Sequence, residues 1–215
     1  MTKHESIRVV DLTHLINAQT PVYPGTEPPT FEAASTLERD GFRETKLSLW
    51  SHVGTHMDAP AHLLAGAHTL DELPVGRFFG TAQMLDCRGL SEGGISADLI
   101  RTLPLETLDF VILRTGWEEY WGKDAYYGKF PTLSHEAAKL LANSHVSGVA
   151  VDAISVDPIG ATLPVHRILF SADMIAIENL CHLDRLPKHE IFSFCALPLN
   201  YENADGSPVR AAARF

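Results

Sequence analysis

Ser51-His52-Val53-Gly54-Thr55-His56-Met57-Asp58-Ala59-Pro60-Ala61-His62 is the stretch from which this chain is read. Four side chains that can bind a metal or move a proton fall in it, in the pattern H-x-x-x-H-x-D-x-x-x-H. His52 and His56 would share a helix face, as in the H-E-x-x-H of zinc proteases. The residues around them argue otherwise. Val53 and Thr55 are β-branched, Gly54 is a weak helix former, and Ala59 precedes a proline that disfavours helical dihedrals. No glutamate lies between the two histidines to act as a base. The stretch therefore reads as an irregular loop that folds several imidazoles and one carboxylate around a point. Imidazole nitrogen with carboxylate oxygen suits Zn²⁺, Mn²⁺ or Fe²⁺, whereas Ca²⁺ and Mg²⁺ prefer oxygen alone. A single histidine would more simply cap a turn; four such groups this close together point to a metal.

Upstream, residues 42–50 alternate in polarity and predict a half-buried strand leading into the His52 loop. Before them comes a first strand within 7–16, then a stiff loop with Pro21, Pro24, Pro28 and Pro29, in which Tyr23 is either a pocket wall or a packing aromatic. Downstream, strands are expected at 80–87, 110–113, 148–156, 174–177 and 191–199. Short helices are expected at 97–102 behind Ser96 and at 134–144 behind Ser134, each serine a good N-cap. A helical turn at 164–170 carries His166, and the strand after it ends at Glu178. A charged residue at that strand end would tolerate burial against a cation. The aromatic segment 117–127 reads as a rim, a dimer contact or packing. His14 either orients the site or packs, and His68, His135, His145, His182 and His189 read as polar surface. The pattern alone supports α/β or α+β.

The chain has 215 residues, a size for one domain spanning 1–215, with no repeat or flexible linker. A formal net charge of −10 without a basic stripe excludes a nucleic-acid binder and gives no attraction to an anionic membrane. Cys87, Cys181 and Cys195 are odd in number and widely spaced, as expected of reduced thiols in a cytoplasm. Neither a signal peptide nor a membrane span is expected.

The string HVGTHMDAPAH resembles the signature of the cyclase-like metal-dependent hydrolases. The likeness continues in Asp11-Leu12-Thr13-His14, Pro21-Val22-Tyr23-Pro24-Gly25, His166-Arg167-Ile168-Leu169, Ile177-Glu178-Asn179-Leu180, Leu197-Pro198-Leu199 and Asp205-Gly206-Ser207-Pro208-Val209-Arg210. The resemblance implies an α/β chain with the swivelling β/β/α fold and a mixed sheet. It implies two Zn²⁺ ions, with Mn²⁺ the alternative: His52, His56 and Asp58 on the first, His166 and Glu178 on the second, Asp58 as the bridge. His62 takes the proton-transfer role, and Tyr23 stands where the formamidases carry a stacking tryptophan. The activity implied is hydrolysis of a small amide by metal-activated water. An arylformamidase, taking N-formyl-L-kynurenine to L-kynurenine and formate, comes first. A Mn-dependent, isatin-type hydrolase of cyclic amides and a non-catalytic metal-holding protein are the alternatives. A homo-oligomer, dimer or higher, is expected.

Overall fold

The computed structural model describes residues 7–215. In chain order the elements are β1 (Val9–Asp11), β2 (Thr30–Ser35), α1 (Leu37–Asp40), β3 (Glu44–Ser48), β4 (His56–Asp58), β5 (Phe79–Asp86), α2 (Ala97–Ile100), β6 (Phe110–Arg114), α3 (His135–Ala142), β7 (Gly148–Val151), α4 (Pro164–Phe170), β8 (Ile175–Glu178), β9 (Phe192–Pro198) and β10 (Gly206–Arg214). Short 3₁₀ turns join several of them, including Pro60–His62.

β5, β6, β7 and β8 run parallel, linked by crossovers. β4 then pairs antiparallel with β8, β10 with β4, and β9 with both β10 and β5. The seven strands close into a mixed ring, and β1 joins β10 beside β4. This is the mixed-sheet α/β fold that the resemblance implies. Strand β6 shows why the ring holds. Phe110 and Ile112 face the barrel interior with Met57, Ile177 and Phe194, while Val111 and Leu113 face the helical layer with Leu141 and Leu169. Buried on both sides, residues 110–113 form a continuous apolar run. Ser96 and Ser134 cap α2 and α3, accepting from the backbone N–H of Leu99 and Ala137 at 3.4 and 3.1 Å.

The first strand ends at Asp11, close to where it was expected. Three expectations change. The alternation at 42–50 does make a strand, β3, but it is exposed throughout rather than half-buried. It pairs with β2 in a separate two-stranded arm, Phe31 opposite Leu47, with no third layer to cover them. The 148–156 strand stops at Val151, where the buried Asp152 carboxylate accepts from the backbone N–H of Thr115 and Gly116 and turns the chain. The loop expected over 51–62 is irregular only to Thr55; His56–Asp58 is strand β4, wholly buried, and Pro60–His62 is a 3₁₀ turn. His56 and Asp58 are thus held on sheet, and His52 on irregular backbone.

Candidate metal centre

Strand β4 alternates. Met57 enters the barrel core, so His56 and Asp58 project from the other face. β8 pairs with it so that His56 lies opposite Glu178. His166 comes from α4, whose first N–H groups, those of Val165 and His166, are capped by the Asp157 carboxylate at 3.0 Å each. His52 arrives from the loop, turned at Gly54 with φ +64°. A Cβ on Gly54 would meet Cγ1 of Ile16 at 2.8 Å, so the turn tolerates only glycine.

The five donors converge. Asp58 Oδ1 lies 2.6 Å from His52 Nδ1 and 3.2 Å from His56 Nε2, and its Oδ2 lies 3.5 Å from His166 Nε2. Glu178 reaches His166 Nε2 at 3.1 Å and His56 Nε2 at 3.5 Å. Two donor groups result, His52–His56–Asp58 and Asp58–His166–Glu178, each with its ligand atoms within 4.8 Å of one another. Asp58 is common to both and turns a different oxygen to each.

Outer contacts set which imidazole nitrogen faces inward. His56 Nδ1 lies 2.9 Å from the Gly54 carbonyl, which receives its proton and leaves Nε2 free. His166 Nδ1 meets Asp157 at 2.7 Å, with the same effect. The Gly54 carbonyl also accepts from Asn179 Nδ2 at 2.7 Å, and Asn179 Oδ1 accepts from the buried Tyr126 hydroxyl at 2.5 Å.

Electrostatics demand positive charge here. Asp58 and Glu178 are 2% and 4% exposed, and imidazoles are their only basic neighbours among the described residues. Burial opposes ionisation of Asp58, yet His52 and His56 hold its carboxyl well below the usual range. Burial and the Asp58 charge raise Glu178. Burial would lower His52, but Asp58 and Asp205 lift it to about 9. His56 and His166 are raised against burial by their carboxylates. Two buried carboxylates amid three inward imidazole nitrogens fit a divalent-cation site, the donor chemistry being that of Zn²⁺ or Mn²⁺.

His62 stands at the edge of this cluster, its ring centroid 4.0 Å from that of His52. Burial lowers its pKa, which keeps the ring neutral and able to take a proton at neutral pH. A cavity of about 310 Å³ opens above the donors, walled by Pro21, Tyr23, Ile154, Ala161 and Leu163. Tyr23 does line it, and its hydroxyl accepts from the Gly160 N–H at 3.1 Å. All the residues singled out from sequence therefore meet in one place. His14 does not join them: its ring stacks on Trp121 at 3.8 Å, though its backbone N–H holds Thr55 Oγ1 at 2.9 Å. His68 pairs with Asp173 on the surface. The aromatic segment is mostly internal packing, with Tyr126 wholly buried.

Asp157, Asn179 and Asp205 were not singled out. The partners of Asn179 and Asp205 lie 125 and 153 positions away along the chain, at Gly54 and His52.

Several known proteins resemble this one over nearly its whole length. The kynurenine formamidase of Bacillus cytotoxicus is 30% identical over 207 residues, covering 95% of this chain and 96% of that one. The Salinibacter ruber kynurenine formamidase is 30% identical over 213 residues, covering 96% and 97%. Among solved structures, an isatin hydrolase bound to the product analogue thioisatinate superposes with a TM-score of 0.85 at 25% identity, covering 97% of this chain and 92% of that one. A predicted metal-dependent hydrolase from Bacillus stearothermophilus gives 0.79 at 28% identity, covering 97% and 98%. The Cyclase family model matches residues 10–158, and with these likenesses the chain belongs to that family of metal-dependent hydrolases.

Proposed function

We propose that the protein hydrolyses a small aryl amide at a two-zinc centre, as an arylformamidase converting N-formyl-L-kynurenine to L-kynurenine and formate. The observation that carries this reading is the sharing of Asp58 between two donor groups, with the neutral His62 at their edge. His52, His56 and Asp58 would hold one cation, and Asp58, His166 and Glu178 the other. Bound divalent cations acidify water and polarise a carbonyl. The chain's own part is proton handling and placement. His62 accepts the proton of the attacking water and returns it to the departing nitrogen. Tyr23, Ile154 and Leu163 flank a flat ring, and the Val156 N–H steadies Glu178 at 3.1 Å. The names of the 30%-identical relatives support the substrate.

The test is rigorous demetallation followed by assay on N-formylkynurenine. Activity should vanish and return with Zn²⁺ or Mn²⁺; full activity without metal would sink the reading.

One observation favours a second reading, ring opening of a cyclic amide with Mn²⁺. No lysine or arginine lines the cavity among the described residues, which suits a substrate without an amino-acid head group. Isatin turnover with one equivalent of manganese and no formamide cleavage would select it. A non-catalytic metal holder would show neither. We also propose a cytoplasmic homo-oligomer, dimer or higher, of one domain. The solvent-facing Phe31, Leu47 and Trp50 of the arm and its exit support association, and three free cysteines support the compartment.

A further inference from the structure

Of the three inward-facing histidines, His52 is arranged differently. His56 and His166 present Nε2 to the carboxylates, whereas His52 presents Nδ1. Its Nε2 points outward, 3.0 Å from Oδ2 of Asp205. The same oxygen lies 3.6 Å from His62 Nδ1. We propose that Asp205 is a positioning residue for both rings: it takes the Nε2–H of His52, turning Nδ1 inward, and it anchors His62 beside that ring.

Asp205 is built to stay in place. Its turn is clamped from one side by Asp71, whose carboxylate accepts from the N–H of Asn203 and Ala204 at 3.3 and 3.0 Å. From the other, the Asp205 carbonyl accepts from Ala59 N–H at 2.9 Å, directly after β4, and the Ala204 carbonyl accepts from Leu70 at 2.8 Å. Gly206 lets this backbone lie flat on His52, since a Cβ there would sit 2.4 Å from the ring. A carboxylate carried on backbone held this firmly selects one imidazole tautomer, as outer carboxylates do on ligating histidines. Asp205, in the turn before β10, therefore sets the orientation of a ligand and of the proton carrier together.

The inference deepens the metal-hydrolase reading and rests on it. Its test compares the parent with D205N and D205A by chelator competition for Zn²⁺, steady-state kinetics, and ¹⁵N spectra of the histidine rings. In D205A zinc affinity and kcat should each fall about 10- to 100-fold, with KM within about threefold. D205N should fall between, because its amide oxygen still accepts one N–H. The parent spectrum should show His52 protonated at Nε2, and His56 and His166 at Nδ1. Zinc affinity and kcat within about twofold of the parent in D205A would overturn the proposal, as would a change in KM alone, which marks a substrate contact. A parent that binds no metal and turns over neither amide ends the hydrolase reading instead. The His52 ring then still decides the contact, and an Nε2 without a proton in the parent overturns it.

Discussion

Gly54 does two things with one peptide unit: its left-handed backbone brings His52 and His56 together, and its carbonyl receives the His56 proton. His62, by contrast, is held to no carboxylate of the buried pair, so its loss should leave the donors intact. H62A is expected to reduce kcat about 10²- to 10⁴-fold while retaining zinc at parental stoichiometry, measured by elemental analysis and kinetics. His14 offers a separate prediction. Burial lowers its pKa from 6.5 to about 4, so the unfolded chain takes up the proton first as pH falls. The stability it protects is complete above pH 6.5 and is lost on descending from there towards 4. Because the ring is partly exposed, the loss at pH 5 should be about 1–2 kcal/mol. H14F keeps the stack on Trp121 without titrating, so denaturant unfolding at pH 7.5 and 5 should show the parent losing that much more. At this scale the sequence was most legible where donors crowd together, in residues 52–62. Asn179 and Asp205 were illegible for the opposite reason: His52 and Asp205 are separated by 153 positions, and Asn179 and Gly54 by 125, and no local spacing encodes such meetings.

Strands and helices were readable wherever burial imposes a period. β6, β8 and β9 carry short apolar runs and α3 a serine cap, and each forms close to its expected place. β10 was read only as a closing segment, because Ala211-Ala212-Ala213 has helical propensity and little hydrophobic contrast. The ring overrides that preference: Ala211 and Ala213 are fully buried in the barrel, where larger side chains would crowd the interior. β3 teaches the reverse lesson, since polarity alternation marks a strand but not what covers it. β10 also carries a testable constraint at its first residue. Gly206 pairs with Asp58 and lies against His52, so G206A should displace that ring. Zinc affinity is expected to fall about 10-fold or more by chelator competition, with the far-UV circular dichroism unchanged.

The whole molecule brings the centre together from separated parts of the chain: the 52–62 segment, α4, the end of β8 and the turn before β10. Bound cations would therefore tie elements together that the backbone leaves remote. A ligand held only by the folded state stabilises it by about 4 kcal/mol when present at about 1,000 times its dissociation constant. For a chain of this size that is a rise of roughly 8–16 °C in Tm. Scanning calorimetry with excess Zn²⁺ and after chelation should show a gap of that order, and coincident curves would count against a folded-state metal site. The mixed sheet was legible only through resemblance and its closure not at all, since period and spacing do not say which strand lies beside which. Closure has one more consequence. Inside a ring each strand's amides are already spoken for, so a foreign strand finds no vacant row there. The arm is different: β2 and β3 have only each other, and their outer flanks meet water, guarded by the Glu32–Lys46 pair across its face. Strand-wise adhesion, whether useful assembly or misassembly, is thereby steered to the arm and away from the chemistry.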